Sequence, residues 1–163
     1  MQKPDRFLIG ILVGIALILI AAFAVTLLRP KPAYKPDDTP ENIVHNYLLA
    51  VENQDYARAY TYLSPSLDGY PPDMQVFIED IERNSWVFRR DVDHALSVTG
   101  SRSISEVIVV SISVTWYYNE PFAGQPSTET FTLRVQAEGN SWKIISGEQF
   151  FWPCWSKLEE YCR

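Results

Sequence analysis

The chain has 163 residues, of which 47% are hydrophobic and 13% aromatic. This composition excludes a disordered chain, because so much apolar surface can offset the conformational entropy lost on folding. The net charge is −6, and the part from Thr39 onward carries nine Lys or Arg against seventeen Asp or Glu. An acidic domain without basic clusters repels phosphate backbones, so we predict no nucleic-acid partner.

An uncharged apolar run, FLIGILVGIALILIAAFAVTLL, occupies residues 7–28. As a helix it would measure roughly 33 Å, enough to cross a hydrocarbon core about 30 Å thick. The pattern predicts one transmembrane helix after a short tail, residues 1–6. A cleaved signal peptide is the alternative, because Ala22-Phe23-Ala24 resembles a cleavage site, although signal peptides have apolar cores of only about 7 to 15 residues.

The orientation follows from the short tail, because the positive charges on the two sides of the run nearly balance. A signal anchor leaves such a tail in the cytoplasm, so we predict a single-pass cell-membrane protein whose large domain lies outside the cytoplasm. Residues 29–38 are rich in proline and predict an extended stalk. Gly10 and Gly14 form a G-x-x-x-G pair that is typical of closely packed helix pairs, which suggests a homodimer.

Helical patterns dominate the first half of the remaining domain, residues 39–163. Thr39 is suited to cap a helix whose first residue is Pro40, and Asp55 is suited to cap a second one. A third helix is expected after the sequence YPPD. The three apolar stripes at helical spacing are Ile43, Val44, Tyr47, Leu48 and Val51; Tyr56, Ala59, Tyr60 and Leu63; and Met74, Phe77, Ile78 and Ile81.

Alternating apolar residues predict strands in the second half of the domain. The first strand covers residues 92–98, and the sequence GSRS at 100–103 predicts a turn into a long strand over residues 104–118. Phe131, Leu133 and Val135 alternate in a third strand, and EGNS predicts a tight turn into a fourth over residues 142–150. We therefore predict an α+β domain, with three N-terminal helices packed on a curved antiparallel sheet of about four strands.

The segment YLLAVENQDYARAYTYLSPSL combines a Tyr/Ala-rich helix, an Asn-Gln-Asp break and a second helix ending in Leu-Ser. It resembles the opening of the nuclear transport factor 2-like superfamily, particularly bacterial membrane-attached members of unknown function. The proline-led third helix and the sequence NSWKI are similar as well, and the resemblance covers residues 39–150. It implies a cone of three helices within a strongly bent sheet that encloses a pocket. It implies no activity, because the fold hosts enzymes, binding modules and assembly subunits.

Isomerase-like members of such a superfamily use a carboxylate base and a phenol or protonated acid inside the cone. Here the resemblance points to Asp93 or His94 as base, with Tyr47 or Tyr60 as the phenol. Asp93 and His94 are adjacent on a strand, so both cannot point inward from regular alternation. The candidate pocket residues are Tyr47, Tyr60, His94, Trp116 and Trp142.

Metal ligands and cofactor motifs are not recognisable in the sequence. The chain has two histidines and two cysteines, with no C-x-x-C or H-x-x-x-H spacing. The pattern of His45 places it away from the apolar stripe of its helix, which indicates a solvated side chain. We therefore predict no metal, no cofactor and no assigned catalytic residue.

The C-terminal segment, residues 151–163, follows the last strand and contains both cysteines. The sequence FFWPCW indicates either an aromatic plug for the wide end of the cone or an exposed patch for a partner. Outside the cytoplasm, an oxidising compartment favours a disulfide between Cys154 and Cys162, which would staple this segment.

These observations predict a membrane-anchored, non-enzymatic domain that binds a small apolar ligand or a protein partner. One alternative is a structural subunit of an envelope complex, because inner-membrane components of secretion systems share the layout of tail, span and domain. Another alternative is an isomerase or dehydratase that uses a histidine or aspartate in the pocket.

Overall fold

The computed structural model describes residues 6–27, 32–88, 93–117, 125–157 and 162. The chain divides into two compact units, Met1–Pro32 and Ala33–Arg163. Helix α1 (Arg6–Leu27) belongs to the first unit. Gly10 and Gly14 lie on α1 with nothing within 4 Å of the positions where a Cβ would stand. Dimerisation through this pair stays a prediction.

The predicted transmembrane helix over residues 7–28 is wrong. Among the described residues, no helix meets the requirements of length and apolarity for crossing a membrane. The same finding contradicts the predicted single-pass location, with its cytoplasmic tail and its domain outside the cytoplasm.

The second unit contains four helices, a four-stranded sheet and a C-terminal 3₁₀ turn within its described residues. The helices lead and the strands follow, as the sequence predicts for an α+β domain. The elements are α2 (Pro40–Glu52), α3 (Tyr56–Thr61), α4 (Met74–Arg83), α5 (Ser85–Phe88), β1 (Asp93–Ile104), β2 (Val107–Tyr117), β3 (Ser127–Glu138), β4 (Ser141–Gly147) and the 3₁₀ turn Pro153–Trp155.

Side-chain caps start the helices at the predicted places. The Thr39 hydroxyl accepts a hydrogen bond from the Asn42 N–H at 3.2 Å, and Pro40 occupies the first turn, where its missing N–H costs nothing. Asp55 and Asp73 cap α3 and α4 in the same way, each accepting from the N–H three residues later. Helix α5 is a short addition that the sequence pattern did not predict.

The sheet is an antiparallel meander with the strand order β1-β2-β3-β4. The pairing register shifts between Val98 and Gly100 and again between Arg134 and Val135, and such bulges bend a sheet. The turn predicted at residues 100–103 is wrong, because β1 continues through them in pairing with β2. The chain reverses instead around Ser105, whose φ of 57° supplies the left-handed conformation that the tight turn requires.

One face of the sheet packs against the helices and forms the core. Alternate residues of each strand point to this face, as the period-two pattern predicts. Helix α2 contributes a continuous buried stripe opposite them, and α4 contributes Phe77 and Ile81. The inward-facing residues of β2, β3 and β4 are Val110, Ile112, Val114, Trp116, Phe131, Leu133, Val135 and Ile144, all at most 4% exposed.

Candidate ligand-binding site

Aromatic side chains pack closely against one another in the described part of the domain interior. Trp155 is 1% exposed and its ring stacks on Phe77, with 5.0 Å between the ring centroids. Phe151 meets the same indole edge-on at 5.2 Å. The Trp155 Nε1–H donates a hydrogen bond of 2.7 Å to Asp80, so the indole N–H is satisfied although the ring is buried. Residues 151–155 of the C-terminal segment therefore form a plug, one of the two interpretations of FFWPCW.

A disulfide joins Cys154 to Cys162, with 5.2 Å between the two Cα atoms. The plug is also fixed to the loop after α3, where the Gly69 N–H donates to the Trp155 carbonyl at 2.9 Å. Only glycine fits there, because an added Cβ would overlap the Cys154 carbonyl oxygen and lie 3.0 Å from its carbon. The disulfide is present although the location that predicted it is contradicted.

A pocket of about 340 Å³ remains at the end of the sheet where β1 begins. We call it the mouth pocket. Its apolar residues come from α2, α5 and the segment after β4, and its polar residues from the end of α2 and the start of β1. The lining residues are Val51, Glu52, Gln54, Phe88, Asp93, His94 and Phe150.

His94 is the polar centre of the mouth pocket. Its Nε2 atom lies 3.3 Å from Oε1 of Glu52, and the two side chains are 11% and 31% exposed. The imidazole packs between Trp116 and Phe150, with ring centroids 5.2 and 5.4 Å away. These aromatic contacts and the carboxylate fix the ring at the boundary between the core and the pocket.

Asp93 lines the same pocket although it precedes His94 on the strand. It is exposed and is the first residue of β1, paired with Tyr117. Strand alternation separates the two side chains, as predicted, but a side chain at the end of a strand can still reach the rim. The pocket thus collects two carboxylates and one imidazole from its described residues.

The predicted phenols are not in the mouth pocket. Tyr47 is fully buried, and its hydroxyl donates a 2.6 Å hydrogen bond to the Phe150 carbonyl. Burial raises the pKa of this phenol well above its ordinary value. The Tyr60 hydroxyl donates to the Pro71 carbonyl at 2.8 Å, and its ring stacks on Tyr70. Both hydroxyls therefore have structural partners in place of a reacting group.

The two candidate tryptophans also differ in position. Trp116 is 4% exposed, and its ring contacts the His94 ring. It therefore packs against His94 without lining the mouth pocket itself. Trp142 lies on β4, where it pairs with Ala137 of β3, and its partly buried side chain packs against the core. The His45 Nε2–H donates a 3.0 Å hydrogen bond to the Ala33 carbonyl, and neither residue lines the mouth pocket.

Sequence reasoning missed Glu52, Gln54 and Phe150. Glu52 is the last residue of α2, and Gln54 has a φ of 58° in the Asn-Gln-Asp break. The Asn-Gln-Asp break was the available signal, because a residue with left-handed backbone conformation after a helix turns the chain sharply. Such a turn presents the neighbouring side chains at the surface. Among the described residues, no group of three or more His, Cys, Asp or Glu side chains could hold a metal ion.

The fold and the pocket define an α+β domain with an aromatic-filled interior and a small open pocket at one end of a bent meander sheet. No protein-family model matches the chain, and no curated protein matches it.

Solved structures are similar to it. One is a SEC-C motif-containing protein from Rhodopseudomonas palustris, 16% identical, with a TM-score of 0.49 over 71% of this chain and 81% of that one. An NTF2-like protein from Burkholderia thailandensis is 15% identical, with a TM-score of 0.43 over 69% and 89%. An NTF2-like protein of unknown function from Burkholderia pseudomallei is 19% identical, with a TM-score of 0.38 over 67% and 87%. The solved structures that are similar to this chain thus include NTF2-like proteins.

Proposed function

We infer that this domain binds a small organic molecule in the mouth pocket. The observation that carries the proposal is the composition of the pocket, an apolar floor beneath a polar rim in a volume of about 340 Å³. Ligand pockets typically measure about 300 to 1,000 Å³ and combine apolar walls with a few polar groups that orient the ligand. The floor consists of Val51, Phe88 and Phe150, which are 1% to 2% exposed and form part of the core.

The filled interior limits where a ligand can bind. Trp155 and its aromatic neighbours occupy the space that the resemblance assigned to an internal pocket. A ligand therefore contacts the domain at the mouth, where the apolar part rests on the floor and the polar part meets the rim. This position accommodates a molecule of about the size of a substituted benzene ring.

The rim favours a positively charged or hydrogen-bond-donating head group. Glu52 and Asp93 supply two carboxylates, and the Gln54 side chain adds an amide oxygen. A carboxylate accepts hydrogen bonds only, and it attracts ammonium groups and repels acids. We therefore propose a small amine with an apolar body as the class of ligand.

Phenethylamine is a suitable probe, and phenylacetate is its counterpart of opposite charge. We expect phenethylamine to shift the backbone amide NMR signals of Glu52, His94 and Phe150 in a saturable way, and phenylacetate not to do so. Loss of one charged hydrogen bond in Glu52→Gln should weaken binding by roughly tenfold. His45→Gln is the matched control for His94→Gln, because His45 lies outside the pocket. Equal affinities for the two probes, or equal effects of the two histidine variants, contradict the proposal.

A second candidate function is proton-transfer catalysis, and the contact between His94 and Glu52 favours it. A carboxylate beside an imidazole is a common arrangement for a general base. Such a base would remove a proton from the carbon next to a carbonyl group, and the electron pair would move to the carbonyl oxygen as an enolate. The hydroxyls of Tyr47 and Tyr60 both donate to main-chain carbonyls, so neither of these two predicted phenols is free to stabilise that oxygen.

Deuterium exchange distinguishes this candidate from simple binding. In deuterated water, an active base would incorporate deuterium next to the carbonyl of a ketone such as cyclohexanone faster than the buffer does. Glu52→Gln and His94→Gln should both lower that rate, and His45→Gln should not. Exchange at the buffer rate with the unchanged protein eliminates the catalytic candidate and leaves the binding proposal intact.

A further inference from the structure

A second and larger pocket, of about 470 Å³, lies on the face of the sheet that points away from the helices. We call it the outer pocket. Its strand residues alternate with the inward-facing core residues, and their pairings, Val107 with Gln136 and Val109 with Arg134, place them side by side. The lining residues are Ser66, Leu67, Asp68, Ile104, Val107, Val109, Arg134, Gln136, Ile145, Ser146 and Ser156.

The wall of the outer pocket is built from the loop after α3. Leu63 pairs with Ile144 at the edge of β4, and the Ser64 N–H donates to the Ile144 carbonyl at 3.0 Å. The Ser64 and Ser66 hydroxyls both donate to Glu138 at the end of β3. These bonds tether the loop to the sheet, and Ser66, Leu67 and Asp68 of the loop line the pocket together with strand residues. Val109, one of these strand residues, is only 4% exposed.

Arg134 is the positive group of the outer pocket, and it forms no ion pair with any described residue. The carboxylates on neighbouring positions are occupied elsewhere. Glu148 accepts from the N–H and the hydroxyl of Thr132 at 2.9 and 3.1 Å, and Glu138 accepts from the two loop serines. The guanidinium, with five donors suited to a planar carboxylate, is thus available to a ligand.

Asp68 lines the same pocket and likewise forms no ion pair with a described residue. Arg134 and Asp68 carry opposite charges and face one space without an ion pair between them. The lining of the same pocket also includes the apolar side chains of Leu67, Val107 and Ile145. A ligand that has a carboxylate, an ammonium group and an apolar body would satisfy all three parts at once.

We propose that the outer pocket binds a small apolar zwitterion, that is, an apolar amino acid or a short apolar peptide held by its charged ends. Arg134 binds the carboxylate, Asp68 binds the ammonium group, and the apolar floor accepts the side chain. This site is separate from the mouth pocket, because the two pockets share no lining residue.

Four probes test the proposal with the full chain: leucine, leucyl-leucine, N-acetyl-leucine, which lacks the ammonium group, and leucine amide, which lacks the carboxylate. Binding is followed by the amide NMR signals of Leu67, Val109 and Ser146. We expect leucine or leucyl-leucine to bind, and the one that binds more tightly identifies the size of the ligand. Each blocked probe should bind roughly tenfold more weakly.

The variants assign each charge to its partner. Arg134→Gln should remove the preference for leucine over leucine amide, and Asp68→Asn should remove the preference over N-acetyl-leucine. Arg83→Gln and Glu82→Gln, exposed residues of α4, are the matched controls and should keep both preferences. The proposal is overturned if no probe shifts these signals at millimolar concentration, or if blocked and unblocked leucine bind equally well. This result is read on the unchanged protein, so it does not depend on whether a variant folds.

Discussion

Gly69→Ala should destabilise the domain through the plug. The added Cβ would overlap the backbone carbonyl of Cys154 and lie 3.1 Å from the Trp155 carbonyl oxygen. Both are main-chain atoms, so the segment has to move as a unit. The movement breaks the hydrogen bond from the Gly69 N–H to Trp155, about 1 kcal/mol, and loosens the packing of the Trp155 ring.

The expected magnitude follows from the burial of that ring. Complete removal of a buried tryptophan side chain typically costs about 3 to 5 kcal/mol. If displacement forfeits about half of this packing, Gly69→Ala lowers the free energy of unfolding by roughly 3 kcal/mol. Gly100→Ala is the matched control, because nothing lies within 4 Å of its added Cβ, and it should change stability by less than about 1 kcal/mol.

Urea denaturation followed by tryptophan fluorescence measures both variants. The decisive measurement is on the double variant Gly69→Ala/Trp155→Ala. A clash that acts by displacing the Trp155 ring loses most of its effect once that ring is absent. The double variant should therefore be less unstable than the sum of the single variants. Strict additivity, or a cost for Gly69→Ala equal to that for Gly100→Ala, would refute this account of the loop.

Two further predictions concern ionisation and the disulfide. Burial raises the pKa of Tyr47 above the value of about 10 that it has in the unfolded chain, so its contribution to stability is present below pH 10 and declines above it, by up to about 1.4 kcal/mol per pH unit. Tyr47→Phe should make the decline of the free energy of unfolding at alkaline pH shallower. At neutral pH the same variant should be less stable, because the Phe150 carbonyl loses its hydrogen-bond donor. An unchanged alkaline slope contradicts this. Reduction of the Cys154–Cys162 disulfide, which closes a short loop, should cost roughly 2.5 kcal/mol in the chain-entropy model and loosen the plug while the sheet stays folded. Circular dichroism and fluorescence before and after reduction measure this, and loss of the sheet signal would be the opposite result.

The buried face of the sheet could be predicted from the sequence because the alternation of apolar and polar residues is a local signal. Phe131, Leu133 and Val135 alternate with polar residues, and a period of two leaves only one choice of buried face. The position of the turn between β1 and β2 was predicted wrongly because that prediction also relied on a local signal. Residues 100–103 have turn-like composition, but the pairing of β1 with β2 extends through them with a bulge, and long-range hydrogen bonds outweigh a weak local preference. The true turn contains Ser105 and no glycine, so its composition gave little indication.

The pocket residues were harder to predict because they meet across the fold. Glu52 is the last residue of α2, and His94 lies on β1. No sequence pattern indicates which residue a carboxylate at the end of a helix will contact. The resemblance predicted Tyr47 as a pocket phenol, yet its hydroxyl donates to the main-chain carbonyl of Phe150. Whether a buried hydroxyl faces a cavity or a backbone acceptor depends on how the last segment folds back, which helix periodicity does not encode.

The aromatic C-terminal segment explains why both pockets lie at the surface. Phe150, Phe151 and Trp155 fill the space between α4, α5 and the sheet, so the domain gains core packing that an internal cavity would forfeit. Phe150, which directly precedes this segment, contributes to the floor of the mouth pocket, and Ser156 of the segment lines the outer pocket. The residues around the plug therefore fill the core and also contribute to both of these pockets. Changes in the plug should therefore alter both sites, whereas changes in the charges of either pocket should stay local.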